Sequence, residues 1–198
     1  RKGLSPKFRF LAQILTGFLI IKTSPIINFF PDKVLSLFAF IFFLICISGI
    51  INFTNFMDGL DGLISGCLLV LLIVSIFKIE NMSYLFPFIG ALVAFLWINW
   101  HPAKIFMGDI GSTYLGALYI GNVLFTQNIQ ETIGLILLSF PIFADCITCL
   151  ARRYINGQNI FDSHKLHLYQ RLHQAGLSHS QVSIMYIGTT ILLSTTYL

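Results

Sequence analysis

The feature that most limits how this chain can fold is a series of long apolar segments separated by short polar ones. A helix that crosses a bilayer needs about 20 mostly apolar residues, and seven segments approach that length. The segments are 10–29, 34–51, 63–79, 84–100, 111–127, 132–150 and 182–198. The first is the weakest candidate because Lys22 interrupts it and Pro25 follows. The sequence therefore predicts an all-α fold, a polytopic integral membrane helical bundle of about seven transmembrane helices in one domain, 1–198.

Composition favours a membrane protein over a soluble one. Of the 198 residues, 56% are hydrophobic and 10% are charged, whereas soluble domains carry about 25% charged residues. The formal net charge of +4 comes from too few charges to form a basic face, so we expect membrane lipids and no nucleic acid as partners. All four cysteines lie in apolar segments. We interpret them as small packing residues and not as a redox or zinc site.

Basic residues predict the orientation of the helices. If the N-terminus is cytoplasmic, nine of the twelve lysine and arginine residues fall on the cytoplasmic side, as the positive-inside rule requires. The nine are Arg1, Lys2, Lys7, Arg9, Lys104, Arg152, Arg153, Lys165 and Arg171. The other three are Lys22, Lys33 and Lys78. The same orientation places three polar segments, 52–62, 99–113 and 151–181, on the cytoplasmic side, and we expect the functional site there.

The first polar segment contains a ladder of oxygen-bearing side chains. Two carboxylates three residues apart share a helix face, and the asparagines extend the same line. The ladder consists of Asn52, Asn55, Asp58 and Asp61. Gly59 and Gly62 weaken a helix, so we expect the helix to break there. A turn between helices would use the same residue types, but carboxylates next to hydrocarbon favour a functional site. Oxygen ligands of this kind suit a hard cation such as Mg²⁺, or polar contacts to a sugar or base.

The second segment, NWHPAKIFMGDIGS, runs from Asn99 to the start of the next span. Asp109 lies there between Gly108 and Gly111. One interpretation is a plain helix N-cap. The other is a phosphate site, because the free amides of a helix N-terminus point at the anion and Asp109 can hold a bridging cation. We interpret His101 as structural.

The third segment is basic and rich in histidine. His164 and His167 are three residues apart, Lys165 and Arg171 flank them, and an arginine pair, Arg152–Arg153, precedes them. Such a loop suits phosphate groups. A loop that only sets topology or contacts anionic lipid is the alternative.

Three further side chains lie in or beside the third segment. His173 and His179 are interpreted as surface residues. Asp145, inside the preceding span, is either buried with its hydrogen bonds satisfied or a member of the site.

In order and spacing, the stretches NFTNFMDGLDGL, NWHPAKIFMGDIGSTYLG, PIFADCITCLARR and HKLHLYQRL resemble the polyprenyl-phosphate N-acetylhexosamine-1-phosphate transferases. These are the MraY/WecA-like enzymes of glycosyl transferase family 4. The LYQRL ending resembles the branch that serves O-antigen or other surface-polysaccharide synthesis. The resemblance implies a bacterial inner-membrane enzyme with a cytoplasmic active site and Mg²⁺, or Mn²⁺ in its place. It implies transfer of a sugar-1-phosphate from a UDP-sugar to undecaprenyl phosphate with release of UMP, and it is compatible with a homodimer.

The resemblance also implies roles for individual residues. Asp109 would be the metal ligand, and Asp58 would lie at the reacting phosphates. Gly59, Leu60, Asp61 and Phe106 would hold the uracil, with Asn52 and Asn55 shaping the same pocket. The implied catalytic residues are Asp58, Asp61, Asp109, His164 and His167. The implied nucleotide- and substrate-binding residues are Asn52, Asn55, Gly59, Leu60, Asn99, Phe106, Arg152, Arg153 and Arg171.

Two departures from the family pattern stand out. The family places an aspartate pair just before the stretch that matches RKGLSPKFR, and this chain begins after that point. We therefore expect the chain to be part of a longer enzyme, since phosphoryl transfer depends on charge around the metal. Leu166 replaces a residue that is often small and polar, which bears on the choice of sugar.

Two other classes of function stay open at this level. A transporter would also bury Asp58, Asp61 and Asp145, because ion and proton paths use such carboxylates. Transporters tend to show internal repeats and midplane sites, and no repeat is visible in this sequence. A non-catalytic scaffold is the third alternative.

Overall fold

The computed structural model describes residues 5–159 and 165–198, and every regular element within these ranges is helical. The helices are α1 (Pro6–Thr23), α2 (Lys33–Phe56), α3 (Leu63–Lys78), α4 (Leu85–Asn99), α5 (Gly108–Val123), α6 (Ile129–Leu138), α7 (Phe140–Ile155), α8 (Leu168–Gln174) and α9 (His179–Tyr197). Short 3₁₀ helices at Pro25–Phe29 and Met82–Tyr84 precede α2 and α4. The predicted all-α architecture is confirmed for the described residues.

Helix α3 is the centre of the bundle. It packs against α4, α5, α6 and α9, and its side chains Leu63, Leu71 and Leu72 are completely buried. A helix that is apolar on all sides belongs in an interior, and the sequence of α3 has that pattern. The longest helix, α2, packs against α1, α5 and α7 on the other side of the bundle.

The break predicted in the first polar segment is confirmed. Helix α2 ends at Phe56, a turn follows, and α3 begins after Gly62, whose φ is +75°. Glycine adopts this left-handed backbone without the steric penalty that a Cβ would bring. The turn presents Asp58 and Asp61 at one end of the bundle. At the other end of α2, the Asp32 carboxylate accepts hydrogen bonds from the amides of Val34 and Leu35, both at 2.9 Å, and caps the helix.

Two helical segments among the described residues are long and apolar enough to cross a membrane, Lys33–Phe56 and Met82–Asn99. The bent pair of α6 and α7 provides a third if it is counted as one span. Helix α3 is apolar but only 16 residues long. The number of about seven spans therefore stays a prediction.

The prediction of one continuous helix over 132–150 is wrong. The chain forms α6 and α7 there, which meet at a 72° bend. Pro141 lies in the first turn of α7, where its missing N–H is not needed. Inside a continuous helix the same proline would remove a hydrogen bond and clash with the preceding turn. The segment is therefore either a broken span or a re-entrant loop.

The three polar segments meet at one end of the bundle, as the orientation argument predicts. The amide of Gly62 in the first segment donates a hydrogen bond of 3.1 Å to the side-chain oxygen of Asn99 in the second. The hydroxyl of Tyr169 in the third segment donates a hydrogen bond of 3.0 Å to the carbonyl oxygen of Phe56 in the first. The functional candidates from distant parts of the sequence are thus neighbours in the fold.

Candidate active site

A cavity of about 260 Å³ opens at this end of the bundle. Eight of the predicted site residues line it: Asn55, Asp58, Gly59, Leu60, Asp61, Asn99, Phe106 and Asp109. Met107, Gly108 and His179 complete the lining. A larger cavity of about 400 Å³ lies at the other end of α3, beside Lys78 and Glu80. It contains none of the predicted site residues, so the smaller cavity is the candidate site.

Asp109 lies in the first turn of α5 and faces both solvent and neighbouring polar groups. Its side chain is 67% exposed and pairs with Arg9. Asn55 donates to Asp109 Oδ1 at 3.3 Å and to Ser112 Oγ at 2.9 Å. The N-cap interpretation of Asp109 is wrong, because the helix begins at Gly108 and no side chain caps it. Arg9 was counted in the sequence only as a cytoplasmic charge, and only the fold brings it to the site.

Asp58 is a carboxylic acid in surroundings that oppose its ionisation. Burial, and to a smaller extent the negative charge of Asp109, raise its pKa from 3.8 to about 6. Two carboxylates that repel each other in this way are stabilised by a divalent cation. The side chains of Asp58 and Asp109 supply carboxylate oxygens, which are the ligand atoms that Mg²⁺ prefers. The residues present therefore fit the metal that the family resemblance implies.

Asp61 is held by one of its two oxygens. His101 Nδ1 lies 2.6 Å and the Ala103 amide 3.2 Å from Oδ2, and His179 Nδ1 lies 3.2 Å from the same atom. Burial opposes ionisation of Asp61, but these neighbours outweigh it and lower its pKa. Asp61 is thus an anion at neutral pH.

The interpretation of His179 as a surface residue is wrong. Its side chain is 25% exposed and lines the cavity beside Asp61. The sequence contained an indication of this, since Ser178 and Gln181 form a capping box that marks a helix start beside the third polar segment. His101, interpreted as structural, contacts Asp61, and His173 is exposed as expected.

Asn99 and Asn52 make hydrogen bonds within the protein. Asn99 is 6% exposed, accepts from the Gly62 amide at 3.1 Å and donates to the Ile105 carbonyl at 2.9 Å. It thereby fastens the first polar segment to the second. Asn52 pairs with Gln13 of α1 through two hydrogen bonds of 3.1 and 2.8 Å, and its amide does not line the cavity.

The third polar segment is anchored by Asp145. Its carboxylate accepts from the amides of Leu168 and Tyr169 at 2.7 and 3.0 Å and from Tyr186 Oη at 2.7 Å. His167 is 3% exposed, with Nδ1 3.5 Å from Asp145 Oδ1. Asp145 is therefore buried with its hydrogen bonds satisfied, the first of the two alternatives.

Tyr169 joins the third segment to the first. Its hydroxyl donates to the Phe56 carbonyl at 3.0 Å, and a Cβ on Gly59 would overlap that hydroxyl. Glycine at 59 is thus required by this close approach.

The three arginine candidates of the third segment, all in its described part, do not line the cavity. Arg152 and Arg171 are exposed, while Arg153 is buried and donates to the Asn159 carbonyl. The predicted catalytic residue His164 lies outside the described residues.

Comparison with known proteins identifies the family of this chain. The model of glycosyl transferase family 4 matches residues 1–127, so the chain belongs to that family. It is 34% identical over 203 residues to a probable undecaprenyl-phosphate N-acetylglucosaminyl 1-phosphate transferase of Bacillus subtilis (strain 168), a match that covers 93% of this chain and 56% of the relative.

Two other relatives carry related names. A phospho-N-acetylmuramoyl-pentapeptide-transferase of Endomicrobium trichonymphae is 30% identical, covering 78% of this chain and 48% of the relative. A decaprenyl-phosphate N-acetylglucosaminephosphotransferase of Mycobacterium leprae (strain TN) is 30% identical, covering 69% of this chain and 42% of the relative. The chain spans about half the length of these curated relatives.

Proposed function

We propose that the protein transfers an N-acetylhexosamine-1-phosphate from a UDP-sugar to undecaprenyl phosphate and releases UMP. The observation that carries this proposal is the convergence of Asp58, Asp61 and Asp109 on one cavity at the end of an apolar helical bundle. Membership of glycosyl transferase family 4 and the names of the relatives support it. We further propose a multi-pass protein of about seven spans in the bacterial inner membrane, with the cavity facing the cytoplasm and a role in O-antigen or other cell-envelope polysaccharide synthesis.

The carboxylates of Asp109 and Asp58 would have different roles in the transfer reaction. Asp109 would hold Mg²⁺, which when bound neutralises the charge that develops on the phosphates during transfer. Asp58, the more buried of the two, faces the same phosphates, and Arg9 supplies positive charge beside them. Asn55 orients Asp109 through its side-chain amide.

The uracil end of the substrate would lie against the other wall of the cavity. Phe106 is 74% exposed and offers a ring face on which a base can stack. Gly59, Leu60 and Asp61 line the same cavity as Phe106. The carboxylate of Asp61 accepts hydrogen bonds, so it favours a base that presents an N–H.

The third segment would contact the diphosphate or sugar. Tyr169 presses it against Gly59, which brings His167 to the edge of the first segment beside Phe56. Arg152, Arg153, Arg171 and His164 are proposed to add hydrogen bonds and positive charge when the substrate is bound.

The lipid substrate would approach from the side of the bundle. Helix α2 exposes Phe38, Phe42 and Ile45, each at 60% or more, and such a surface suits acyl or polyprenyl chains. Its cytoplasmic end carries Asn55 into the cavity. A polyprenyl phosphate lying along this surface would place its phosphate at the carboxylates.

The test uses membranes that contain the protein expressed from its complete gene. A UDP-N-acetylhexosamine, undecaprenyl phosphate and Mg²⁺ are supplied, and the released nucleotide is identified. We expect UMP that disappears on chelation, and Asp109→Asn should lower its rate by about 100-fold or more. Glu80→Gln is the matched control, because it makes the same charge change on an exposed residue at the other end of the bundle.

Other outcomes would point to other functions. Release of UDP would mean that the sugar moves without its phosphate, which contradicts the proposal. A rate that is unchanged in Asp109→Asn would remove this carboxylate from the mechanism. If no nucleotide is released with any UDP-sugar, flux measurements in sealed vesicles would test whether the protein is a transporter. If no flux is measured either, a non-catalytic scaffold is the alternative that remains.

A further inference from the structure

Three residues that the proposed transfer reaction does not explain as a group meet at one wall of the cavity. Asp61 comes from the turn after α2, His101 from the loop after α4, and His179 from the first turn of α9. One ligand atom from each lies within 4.8 Å of the others. Across residues 5–159 and 165–198, this is the one such group of three side chains.

The two imidazole rings converge on a single carboxylate oxygen. Nδ1 of His101 is 2.6 Å and Nδ1 of His179 is 3.2 Å from Asp61 Oδ2. The His179 nitrogen is buried, yet it makes no hydrogen bond of acceptable geometry in spite of this short distance. The ring of His179 is therefore placed close to the carboxylate but is not oriented as a hydrogen-bond donor to it.

The surroundings suit an ion better than an isolated salt bridge. The Asp61 carboxylate is only 11% exposed, while the His101 side chain is 40% exposed. An ion could thus reach the group from solvent on the His101 side or from the cavity that Asp61 and His179 line.

The types of the three ligand atoms indicate which metal ions can bind. Two imidazole nitrogens and one carboxylate oxygen suit Zn²⁺ and similar transition metals, whereas Mg²⁺ prefers oxygen ligands alone. Three protein ligands and one open position are the usual arrangement of an accessible zinc site. We propose that Asp61, His101 and His179 form a binding site for a divalent transition-metal ion, represented by Zn²⁺, which is distinct from the proposed magnesium site at Asp109.

Binding at this site would fasten three segments together. Ser183 already joins α9 to the backbone of Asp61, and the ion would add direct bonds from His179 and His101 to the same residue. Its binding free energy would stabilise the folded protein against unfolding. Since Asp61 and His179 also line the cavity, the ion would fix the part of the cavity lining that these two residues form.

The experiment measures metal binding alone, without UDP-sugar or lipid phosphate, so it is independent of the proposed transfer reaction. The protein, purified in detergent with a tag that lacks histidine, is stripped with a chelator and titrated with Zn²⁺ in a calorimeter. Co²⁺ is used in parallel, because its visible absorption reports nitrogen ligands and coordination geometry. We expect one ion per chain and a higher unfolding temperature when Zn²⁺ is present.

Variants locate the ion. His101→Gln and His179→Gln should each weaken Zn²⁺ binding by about 100-fold or more, since even loss of an outer-shell partner costs about 10–100-fold. Both variants should unfold at about the wild-type temperature in chelator, which shows that they are folded. His173→Gln is the matched control. Its ring lies 4.5 Å from that of His179, and its Nδ1 is bonded to the Leu177 carbonyl at 2.8 Å, so wild-type affinity is expected.

Three results would overturn the proposal. The first is the absence of stoichiometric Zn²⁺ binding to the wild-type protein. The second is wild-type affinity in both His101→Gln and His179→Gln, which would leave the three side chains as a polar network only. The third is a loss in His173→Gln or Asp109→Asn as large as that in His179→Gln, which would place the ion elsewhere.

Discussion

The pKa of Asp58 depends on how the folded chain surrounds this one side chain. Its pKa is raised to about 6 by burial and by Asp109, which comes from a segment about fifty residues away in the sequence. The sequence shows that Asp58 lies next to apolar segments, but it does not show that the charge of Asp109 acts on it. The pKa shift depends first on the burial of Asp58 and to a smaller extent on the approach of Asp109, and both result from helix packing.

A prediction follows for Asp58→Asn in magnesium-free buffer. Since the folded-state pKa is higher than the unfolded value of 3.8, ionisation of Asp58 favours unfolding. This destabilisation is absent below the unfolded pKa and reaches its full size as the pH rises through about 6. Asparagine cannot ionise, so the variant should be more stable than the wild type by roughly 1–2 kcal/mol at about pH 8 and nearly equal to it at about pH 4.

The measurement is the thermal unfolding midpoint in detergent with chelator, at both pH values. A stability difference that stays constant between the two pH values would contradict the prediction. It would mean that Asp58 is ionised at both, or that the asparagine acts through packing.

The membership of other residues in the site was predicted from residue type and spacing. Asn55 and Asp109 were predicted to share a site, and they form a hydrogen bond. Asn52, three residues earlier on the same helix, pairs instead with Gln13 of α1. A residue's position on a helix face can be predicted from spacing, but the neighbour that occupies that face cannot.

At the scale of elements, Asp145 connects three helices. It lies on α7, accepts hydrogen bonds from the first amides of α8 and receives the Tyr186 hydroxyl of α9. The short helix α8 has seven residues, too few to be stable alone. Its position against the site therefore depends on this carboxylate.

We predict that Asp145→Asn lowers the free energy of unfolding by about 2–3 kcal/mol, because a buried charged acceptor of several hydrogen bonds is replaced by a neutral one. Tyr186→Phe removes only one of these bonds and should cost about 1 kcal/mol. Thermal unfolding gives the ranking, and hydrogen exchange at residues 168–174 should accelerate more in Asp145→Asn. Equal effects of the two variants on that exchange would show that α8 is held by other contacts.

Helix boundaries were predicted where the residue chemistry is local. The break between α2 and α3 follows from glycines that disfavour a helix, and Gly62 adopts the left-handed backbone there. The bend between α6 and α7 was missed because the hydrophobic pattern runs through it and Pro141 is a single residue in that pattern. Hydrophobicity predicts that a segment is apolar, but it does not predict whether the segment is straight.

At the scale of the whole molecule, we interpret the exposed apolar surface of α2 as a lipid-contact surface. Phe38, Phe42 and Ile45 are exposed although they lie near the middle of the longest apolar helix. In water such a surface would promote aggregation. In a bilayer it is in contact with hydrocarbon.

Phe42→Arg tests this placement. An arginine at the centre of a membrane-spanning helix costs about 2.5–3.5 kcal/mol on insertion scales, so a smaller fraction of the protein should resist alkaline extraction from membranes. Phe42→Leu keeps the surface apolar and should insert like the wild type. Equal extraction of the two variants would mean that this surface of α2 does not contact lipid.

Residue type and order alone predict a helical fold with apolar segments of membrane-spanning length, and the described residues are helical in every regular element. They also predict that the polar chemistry lies in three segments at one end. These properties follow from hydrophobic length, residue type and the distribution of basic charges, which are all local. The motifs identify the family as well, and the family model confirms it.

Which of these residues meet depends on how the helices pack. The tertiary structure joined Arg9 to Asp109, buried Asp145 beneath α8, and placed His101 and His179 on the same oxygen of Asp61. Each contact joins segments that are far apart in the chain. Its formation depends on how helices pack and where they bend, and neither is encoded in the spacing of residues along a single helix.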